Sequence, residues 1–341
     1  MSENKNDVVL SVKDLCVSFY TNSRCNKVLR GVSFDIKRGK TLCVVGESGC
    51  GKSVTANSIL RLLPELSRIE GGSITYYKPD GSSVRIDELE KNGREMRKLR
   101  GEDIAIIFQD PMTALNPVYT VGHQIREMIK MHKSGLSKAQ LKKESVQDLA
   151  DMGIPAPEIR DGEYPHQFSG GMRQRAMIAM GMSCEPKILL ADEPTTALDV
   201  TISAQIFDLM NSLKSEHGTA IMMITHNMGV VAEMADEVAV MYMGNIVEYG
   251  KVEDIFTNPT HPYTKALLAS IPILGKGKNQ KLEPIRGVTP DPFNRPRGCQ
   301  FCPRCDYACK RCEEEMPDEE WINDTHYTRC FNYKEVMANG K

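Results

Sequence analysis

The chain has 341 residues, enough for one large domain or two unequal ones with a sizeable buried core. Its 43 basic and 45 acidic residues nearly balance, which argues against a broad electrostatic surface for nucleic acid or anionic lipid. No apolar run approaches the roughly 18 residues of a membrane-spanning helix, and the polar start Met1-Ser2-Glu3-Asn4 differs from a secretory signal, so we expect a cytosolic location.

Short apolar segments bounded by turn or polar residues are typical of buried strands. They occur at Thr41–Val45, Ile104–Phe108, Lys187–Ala191, Ala220–Thr225 and Val238–Tyr242. Helical segments alternate with them at Ser53–Leu63, Met172–Met182 and Ile202–Ser215. This alternation predicts an α/β domain over residues 1–260, with a parallel sheet covered on both faces.

Two segments depart from the alternation. Between Val121 and Met152, Lys and Glu are interleaved with Ile, Met and Leu, which predicts an inserted helical subdomain over about residues 112–182. Residues 261–341 pass through a segment rich in Pro, Gly and Lys, including Gly275-Lys276-Gly277-Lys278, before cysteines accumulate. We therefore predict a linker followed by a compact Cys-rich region.

A P-loop pattern directly follows the strand Thr41–Val45. Its residues are Gly46, Glu47, Ser48, Gly49, Cys50, Gly51, Lys52 and Ser53. The glycines let backbone amides face phosphate oxygens, Lys52 neutralises the β- and γ-phosphates, and the Ser53 hydroxyl reaches Mg²⁺. Because a strand precedes the pattern and a helix follows it, we expect ATP and Mg²⁺ to bind here.

A pair of carboxylates, Asp192 and Glu193, follows the strand Lys187–Ala191. Taken alone, such a pair is more often an exposed turn, but a P-loop in the same chain favours a catalytic interpretation. Adjacent side chains point in different directions and can have different roles. We predict that Asp192 holds Mg²⁺ through water and that Glu193 is the general base for hydrolysis.

The segment Phe168-Ser169-Gly170-Gly171-Met172-Arg173-Gln174-Arg175 resembles the signature motif of ATP-binding-cassette (ABC) ATPases. Its residues Ser169, Gly170 and Gly171 suit a helix N-terminus that receives a γ-phosphate. The resemblance implies the P-loop ABC ATPase fold. It also implies a dimer that holds two ATP molecules, in which the signature motif of one subunit faces the P-loop of the other.

Other residues match the same family in the expected order. The resemblance implies that Gln109 contacts Mg²⁺ and the attacking water, that His226 contacts the γ-phosphate, and that Asp199 acts across the dimer interface. It further implies an aromatic side chain stacked on adenine, for which Phe19 fits the spacing and Tyr20 is the alternative. Each residue has an ordinary structural interpretation alone, and their combined order favours the functional one.

Segments outside the nucleotide motifs are similar to those of peptide importer ATPases. They are Gln109–Pro117, Tyr164–Gln167, Thr195–Thr201 and Asn258–Thr264. This resemblance, over about Val8 to Cys330, implies a subunit that hydrolyses ATP to power import of dipeptides or oligopeptides. It implies a peripheral location on the cytoplasmic face of the membrane.

The partners that the same resemblance implies are a homologous ATPase subunit in a heterodimer, two membrane-spanning permease subunits and an extracytoplasmic peptide-binding protein. Nucleic acid is not among the expected partners.

Three alternative functions stay open. Nickel importers share much of the pattern. A soluble ABC ATPase acting on DNA or ribosomes usually has two cassettes or a long coiled coil, and this chain has neither. An iron–sulfur redox sensor with a regulatory ATPase is the third.

Six of the eleven cysteines lie in the last part of the sequence. Four of them, Cys299, Cys302, Cys305 and Cys309, have the C-x₂-C-x₂-C-x₃-C spacing of a bacterial ferredoxin, although Lys310 stands where proline would follow. The spacing alone therefore permits an iron–sulfur cluster.

The resemblance to peptide permease subunits also implies a [4Fe–4S] cluster, but with a different ligand set. The implied ligands are Cys299, Cys305, Cys312 and Cys330, which leaves Cys302 and Cys309 as alternative ligands. We expect such a cluster to be structural. A zinc site with four thiolates, which His326 can join, is the other possibility.

Overall fold

The computed structural model describes residues 7–21, 24–110, 114–196, 198–271 and 285–338. The Gly275-Lys276-Gly277-Lys278 part of the predicted linker therefore lies outside the described residues, as do Ala197 and residues 111–113 of the family segments. The chain divides into two compact units. The first is Met1–Val9, Ile36–Lys40 and Glu88–Met223, and the second is Leu10–Asp35, Thr41–Asp87 and Ile224–Lys341.

The strands are numbered in chain order. They are β1 (Val8–Thr21), β2 (Arg24–Lys37), β3 (Thr41–Val45), β4 (Ser67–Tyr77), β5 (Ser83–Arg85), β6 (Ile104–Ile107), β7 (Ile188–Asp192), β8 (Ala220–Thr225), β9 (Glu237–Tyr242), β10 (Asn245–Lys251), β11 (Glu320–Trp321) and β12 (Tyr327–Thr328). Each of the predicted strands is present within one residue of its predicted ends.

The helices are numbered in the same way. They are α1 (Lys52–Ile59), α2 (Arg94–Glu102), α3 (Val121–His132), α4 (Lys138–Asp151), α5 (Pro157–Arg160), α6 (Gly170–Met182), α7 (Val200–His217), α8 (Met228–Met234), α9 (Val252–Thr257), α10 (Pro262–Ala269), α11 (Lys310–Glu314) and α12 (Tyr333–Ala338). Helix α1 ends before the predicted Leu63, because Arg61 has a φ of 53° that no helix can continue. Within the described ranges, no helix has both the length and the apolar character needed to cross a membrane.

The first unit combines parallel strands with packed helices. Strand β6 pairs with β7, from Ile104 opposite Ile188 to Ile107 opposite Ala191, and these residues are largely buried, as the apolar sequence predicts. Helices α3, α4 and α6 contact one another. Helix α4 begins at a capping box in which Ser137 and Gln140 bond each other's backbone amides, which defines its start.

A buried polar network joins the helices of the first unit. The Asp161 carboxylate accepts hydrogen bonds from Arg126 Nη1 at 2.5 Å, on α3, and from Ser145 Oγ at 2.7 Å, on α4. The backbone amide of Gly122 donates to the Asp161 carbonyl at 3.1 Å. Asp161 therefore fixes the start of α3 against α4.

The substitution Gly122→Ala should lower the free energy of unfolding by about 1–3 kcal/mol, because overpacking strains a buried site. A Cβ at this position would lie 1.8 Å from Asp161 Oδ1. Urea denaturation measures the change. The control Gly162→Ala places its Cβ 3.5 Å from the Ile159 carbonyl, an ordinary contact, and should change stability by less than about 0.5 kcal/mol. Equal effects of the two substitutions would contradict this account.

The second unit contains an antiparallel sheet with the order β2-β1-β4-β5, which the sequence analysis did not predict. Strand β1 pairs with β4 from Leu10 opposite Tyr76 to Phe19 opposite Ser67, with irregular register near Cys16. Much of β4 alternates between exposed and half-buried residues, so it lacks the continuous apolar run by which the other strands were found.

A second sheet of this unit has strands in the order β3, β9, β10, β12 and β11. Strands β3 and β9 are parallel, but β10 is antiparallel to both β9 and β12. The two predicted strands of this part, β3 and β9, are thus parallel as expected. The sheet also contains β10, which was not predicted and is antiparallel because the short turn after Tyr242 allows only an antiparallel hairpin. Through β12, the C-terminal region is hydrogen-bonded into the sheet.

Candidate functional site

The P-loop lies between β3 and α1 in the second unit. Gly46 has a φ of 153° and Gly51 a φ of 110°. A Cβ at Gly46 would lie 2.2 Å from the Met241 carbonyl, and one at Gly51 would lie 2.7 Å from Leu29 Cδ2. Only glycine fits both the backbone conformation and the space, so the loop backbone packs directly on its surroundings.

Lys52 is buried within this loop. Its Nζ donates to the Gly46 carbonyl at 2.7 Å and to the Glu47 carbonyl at 3.1 Å. The ammonium therefore lies beside the backbone that a P-loop folds around phosphates. Burial raises the pKa of the Cys50 thiol, which keeps it neutral there. Ser53, the predicted Mg²⁺ ligand, is exposed in the first turn of α1.

The first unit brings two predicted residues together at the carboxyl ends of β6 and β7. Gln109 Nε2 donates to Glu193 Oε2 at 3.1 Å. Thr196 Oγ1 donates to the same oxygen at 2.9 Å, a contact that the sequence analysis missed. Glu193 has a φ of 47°, which turns the chain directly after Asp192, the half-buried last residue of β7. Two donors thus fix the orientation of one carboxylate.

The signature segment and Asp199 line one cavity of the first unit. Ser169 caps α6, where its Oγ accepts from the Met172 amide, and Asp199 caps α7, where its Oδ1 accepts from the Ile202 amide. Four predicted nucleotide-binding residues line this cavity: Ser169, Gly170, Gly171 and Asp199. Two helix N-termini open on the same space, which suits an anionic ligand.

The other nucleotide residues predicted from the resemblance lie in the second unit. His226 is exposed directly after β8, and Phe19 is half-buried on β1. The hydroxyl of Tyr20 donates to Glu70 Oε1, and the Arg68 guanidinium lies 5.2 Å from the centre of the Tyr20 ring. Phe19 as the residue that stacks on adenine, with Tyr20 as the alternative, stays a prediction.

A separate, small cavity lies in the cysteine-rich part of the second unit. Five cysteines line it: Cys299, Cys302, Cys305, Cys312 and Cys330. Burial raises the pKa of Cys299 to about 11 and that of Cys305 and Cys330 to about 12, so any metal bound by these thiols must displace protons. Cys309 is not among the lining residues, and its Sγ lies 3.4 Å from Cys312 Sγ.

No group of three or more His, Cys, Asp or Glu side chains in the described part of the chain is arranged to hold a metal ion. Among the described residues, the structure therefore supports neither a zinc site nor the predicted iron–sulfur site. His326, the residue that was to join a zinc site, instead contacts the buried Glu248 carboxylate, with Nε2 at 2.9 Å from Oε1. The contact with the buried Glu248 carboxylate explains the position of His326.

Two family models match the chain. Residues 29–196 match the ABC transporter model, and residues 247–312 match the C-terminal region of the oligopeptide/dipeptide transporter. The second match covers the part of the sequence in which the cysteines begin to accumulate.

Individual proteins are similar over nearly the whole chain. The dipeptide transport ATP-binding protein of Bacillus subtilis is 49% identical over 324 residues, which is 95% of this chain and 94% of that protein. A putative peptide import ATP-binding protein of Brucella ovis is 46% identical over 336 residues, 97% and 98% of the two chains. A bacterial ABC transporter cassette solved as a dimer is 25% identical with a TM-score of 0.62, over 71% of this chain and 98% of that one. This chain belongs to the ABC ATPases, within the family of ATP-binding subunits of peptide transporters.

Proposed function

We propose that this ATPase powers the import of dipeptides or oligopeptides. The observation that carries the proposal is the match of residues 247–312 to the C-terminal region of the oligopeptide/dipeptide transporter, since the ABC part alone is shared by many kinds of ATPase. The relatives from Bacillus subtilis and Brucella ovis are named for dipeptide transport and peptide import. These names support peptides over nickel, and a transporter subunit over a soluble ABC ATPase.

In this proposal the P-loop holds the phosphates of ATP. Lys52 gives up its bonds to loop carbonyls and neutralises the β- and γ-phosphates. Ser53, Gln109 and, through water, Asp192 are the residues that would hold Mg²⁺, and the ion would neutralise charge on the phosphate oxygens. Phe19 stacks on adenine, and His226 contacts the γ-phosphate.

Glu193 serves as the general base. Its carboxylate takes a proton from the attacking water, while Gln109 and Thr196 hold its Oε2 in place. Ser169, Gly170, Gly171 and Asp199 act on the ATP bound by the partner subunit, through the cavity that they line together. The dimeric cassette of similar fold supports a dimeric assembly.

The ATPase would work at the cytoplasmic face of the membrane with two permease subunits, a homologous ATPase subunit in a heterodimer and an extracytoplasmic peptide-binding protein. Membership of a transporter family supports these partners. We assign residues 1–260 to the ABC ATPase domain, with the helical subdomain at about 112–182, and residues 261–341 to the linker and cysteine-rich region. Helices α3 to α6 fall within that helical segment.

The substrate proposal is tested with the complete transporter purified in lipid, by measuring ATP hydrolysis with its peptide-binding protein and a series of ligands. We expect dipeptides or longer peptides to raise the ATPase rate, while nickel ions leave it unchanged. Stimulation by nickel alone would overturn the peptide assignment.

The cysteine cavity supports a further proposal, that the chain binds a [4Fe–4S] cluster through Cys299, Cys305, Cys312 and Cys330. Thiolates of a cluster bind different iron atoms, so they surround a cavity rather than one point, and these four thiols line the same cavity. A cluster there would connect segments that contribute little apolar sequence, which is a structural role.

Anaerobic purification should yield about four iron and four sulfide per chain, with the visible absorption of an iron–sulfur protein. Cys305→Ser should lose most of the iron, while Cys309→Ser, a control outside the cavity lining, should keep it. If Cys302→Ser also keeps its iron, the result would support the proposed ligands over the set of cysteines with ferredoxin spacing. One zinc per chain, or no bound metal in freshly prepared protein, would contradict the cluster.

A further inference from the structure

A side chain from the cysteine-rich region forms an ion pair with the P-loop, and both belong to the second unit. Arg304 Nη1 lies 2.6 Å from Glu47 Oε2, and Arg304 Nη2 lies 3.0 Å from Glu47 Oε1. The Arg304 side chain is 3% exposed and that of Glu47 is 29% exposed. This is a two-point guanidinium–carboxylate contact that is largely protected from water, the geometry in which such pairs are strongest.

The Arg304 guanidinium is itself held in place. Its Nε donates to the Arg286 carbonyl at 2.8 Å, and its Nη1 also lies 3.3 Å from the Tyr242 hydroxyl. Its Cζ lies 5.9 Å from the Tyr242 ring centre and 5.7 Å from that of Phe301, within cation–π range. Contacts on several sides restrict its rotation, so it presents a fixed cation to Glu47.

Glu47 is held at each of its polar groups. Besides the carboxylate, its backbone amide donates to the Tyr263 hydroxyl at 2.8 Å, and its carbonyl accepts from Lys52 Nζ at 3.1 Å. It directly follows Gly46, whose backbone packs against Met241. The position of Glu47 therefore determines the path of the first part of the P-loop.

The ion pair also neutralises the negative charge of Glu47 within the P-loop. A P-loop binds a polyanion, and the Glu47 carboxylate would repel that polyanion if it were not neutralised. The Arg304 guanidinium forms a salt bridge with this carboxylate, with Nη1 at 2.6 Å from Oε2. Loss of its cation would leave a negative charge inside an anion-binding loop.

We propose that Arg304 is a positioning residue of the ATP site, through which the cysteine-rich region sets the conformation and charge of the P-loop. The turn that carries it, Cys302–Arg304, is followed directly by Cys305, and both flanking cysteines line the cysteine cavity. The inference depends on the ATPase function of the chain and not on the identity of any metal or of the transported solute.

The test measures binding of a fluorescent ATP analogue to the full-length chain. Arg304→Met should weaken binding about tenfold or more, within the usual range of coupling between sites. Arg304→Lys, which keeps the charge but loses the two-point contact, should give an intermediate affinity. The control Arg286→Met removes an exposed guanidinium paired with Asp306 in the same region and should stay within about twofold of wild type.

A second variant separates positioning from general loss of structure. If Arg304 acts through Glu47, the double variant Glu47→Gln/Arg304→Met removes the unpaired carboxylate and should bind the analogue several-fold more tightly than Arg304→Met alone. In ATPase assays, Arg304→Met should raise KM for ATP more than it lowers kcat. Unchanged affinity of Arg304→Met, or a double variant no tighter than that single variant, would overturn the proposal.

Discussion

Replacing Glu193 by glutamine should lower the rate of ATP hydrolysis by about 10²- to 10⁴-fold while ATP binding is kept within a few-fold. Glutamine has nearly the same shape and can remain beside Gln109 and Thr196, but it cannot accept a proton from water. The measurement is steady-state phosphate release, together with equilibrium binding of ATP. Because binding survives, the proposed dimer that sandwiches ATP should persist longer in the variant.

Glu216→Gln is the matched control for this experiment. Glu216 is exposed on α7 in the same unit, so the same chemical change there should leave turnover unaltered. A Glu193→Gln variant with turnover within about tenfold of wild type would remove Glu193 from the role of general base. Loss of ATP binding together with turnover would instead indicate that the carboxylate maintains the site rather than acting on water.

Replacing Glu248 by glutamine should destabilise the protein by about 1–3 kcal/mol, the usual cost of leaving buried hydrogen-bond donors without a full set of acceptors. The Glu248 side chain is fully buried. Its Oε1 accepts from the Thr260 amide at 2.7 Å and contacts His326 Nε2, while its Oε2 accepts from the His261 amide at 3.0 Å. It thereby ties β10 to α10 and to the C-terminal segment. Chemical denaturation measures the loss.

The stabilisation by Glu248 should decrease at acidic pH. Burial raises the pKa of Glu248, but hydrogen bonds from His326 and Thr260 lower it more, and the net pKa lies below the usual 4.5. The unfolded chain therefore binds the proton more readily, so this stabilisation is fully present above about pH 4.5 and is lost as the pH falls below it. The difference between wild type and Glu248→Gln should shrink in that acidic range.

Glu65→Gln provides the control, since Glu65 is exposed in a loop of the same unit. It should change stability by less than about 0.5 kcal/mol at any of these pH values. A Glu248→Gln variant as stable as this control at neutral pH would contradict the importance of the buried cluster.

The sequence predicted the elements whose physical signal is local. Strands β3 and β8 have continuous apolar residues, and the P-loop is recognisable because glycine, lysine and serine must occur at fixed spacing to bind phosphate. The contact between Gln109 and Glu193 could also be predicted, since both residues follow strands that end at the same edge of a parallel sheet.

Other features depend on contacts between distant residues and left no local signal. Glu47 and Arg304 are separated by 257 positions, and nothing in the spacing of either segment indicates their pairing. His326 looked like a metal ligand because it lies near cysteines in the sequence, whereas folding places it against Glu248. The cavity brings Cys312 and Cys330 to Cys299, Cys302 and Cys305, a grouping that the spacing of the sequence alone did not indicate.

The central claim is that ATP hydrolysis at Glu193 drives peptide import. It is tested by uptake of labelled dipeptides, longer peptides and nickel ions in cells that carry either this chain or its Glu193→Gln variant at equal protein levels. We predict that peptide uptake is lost in the variant while nickel uptake does not change. If the variant takes up every solute at the wild-type rate, the importer function is contradicted. If the variant loses nickel uptake alone, the peptide substrate is contradicted.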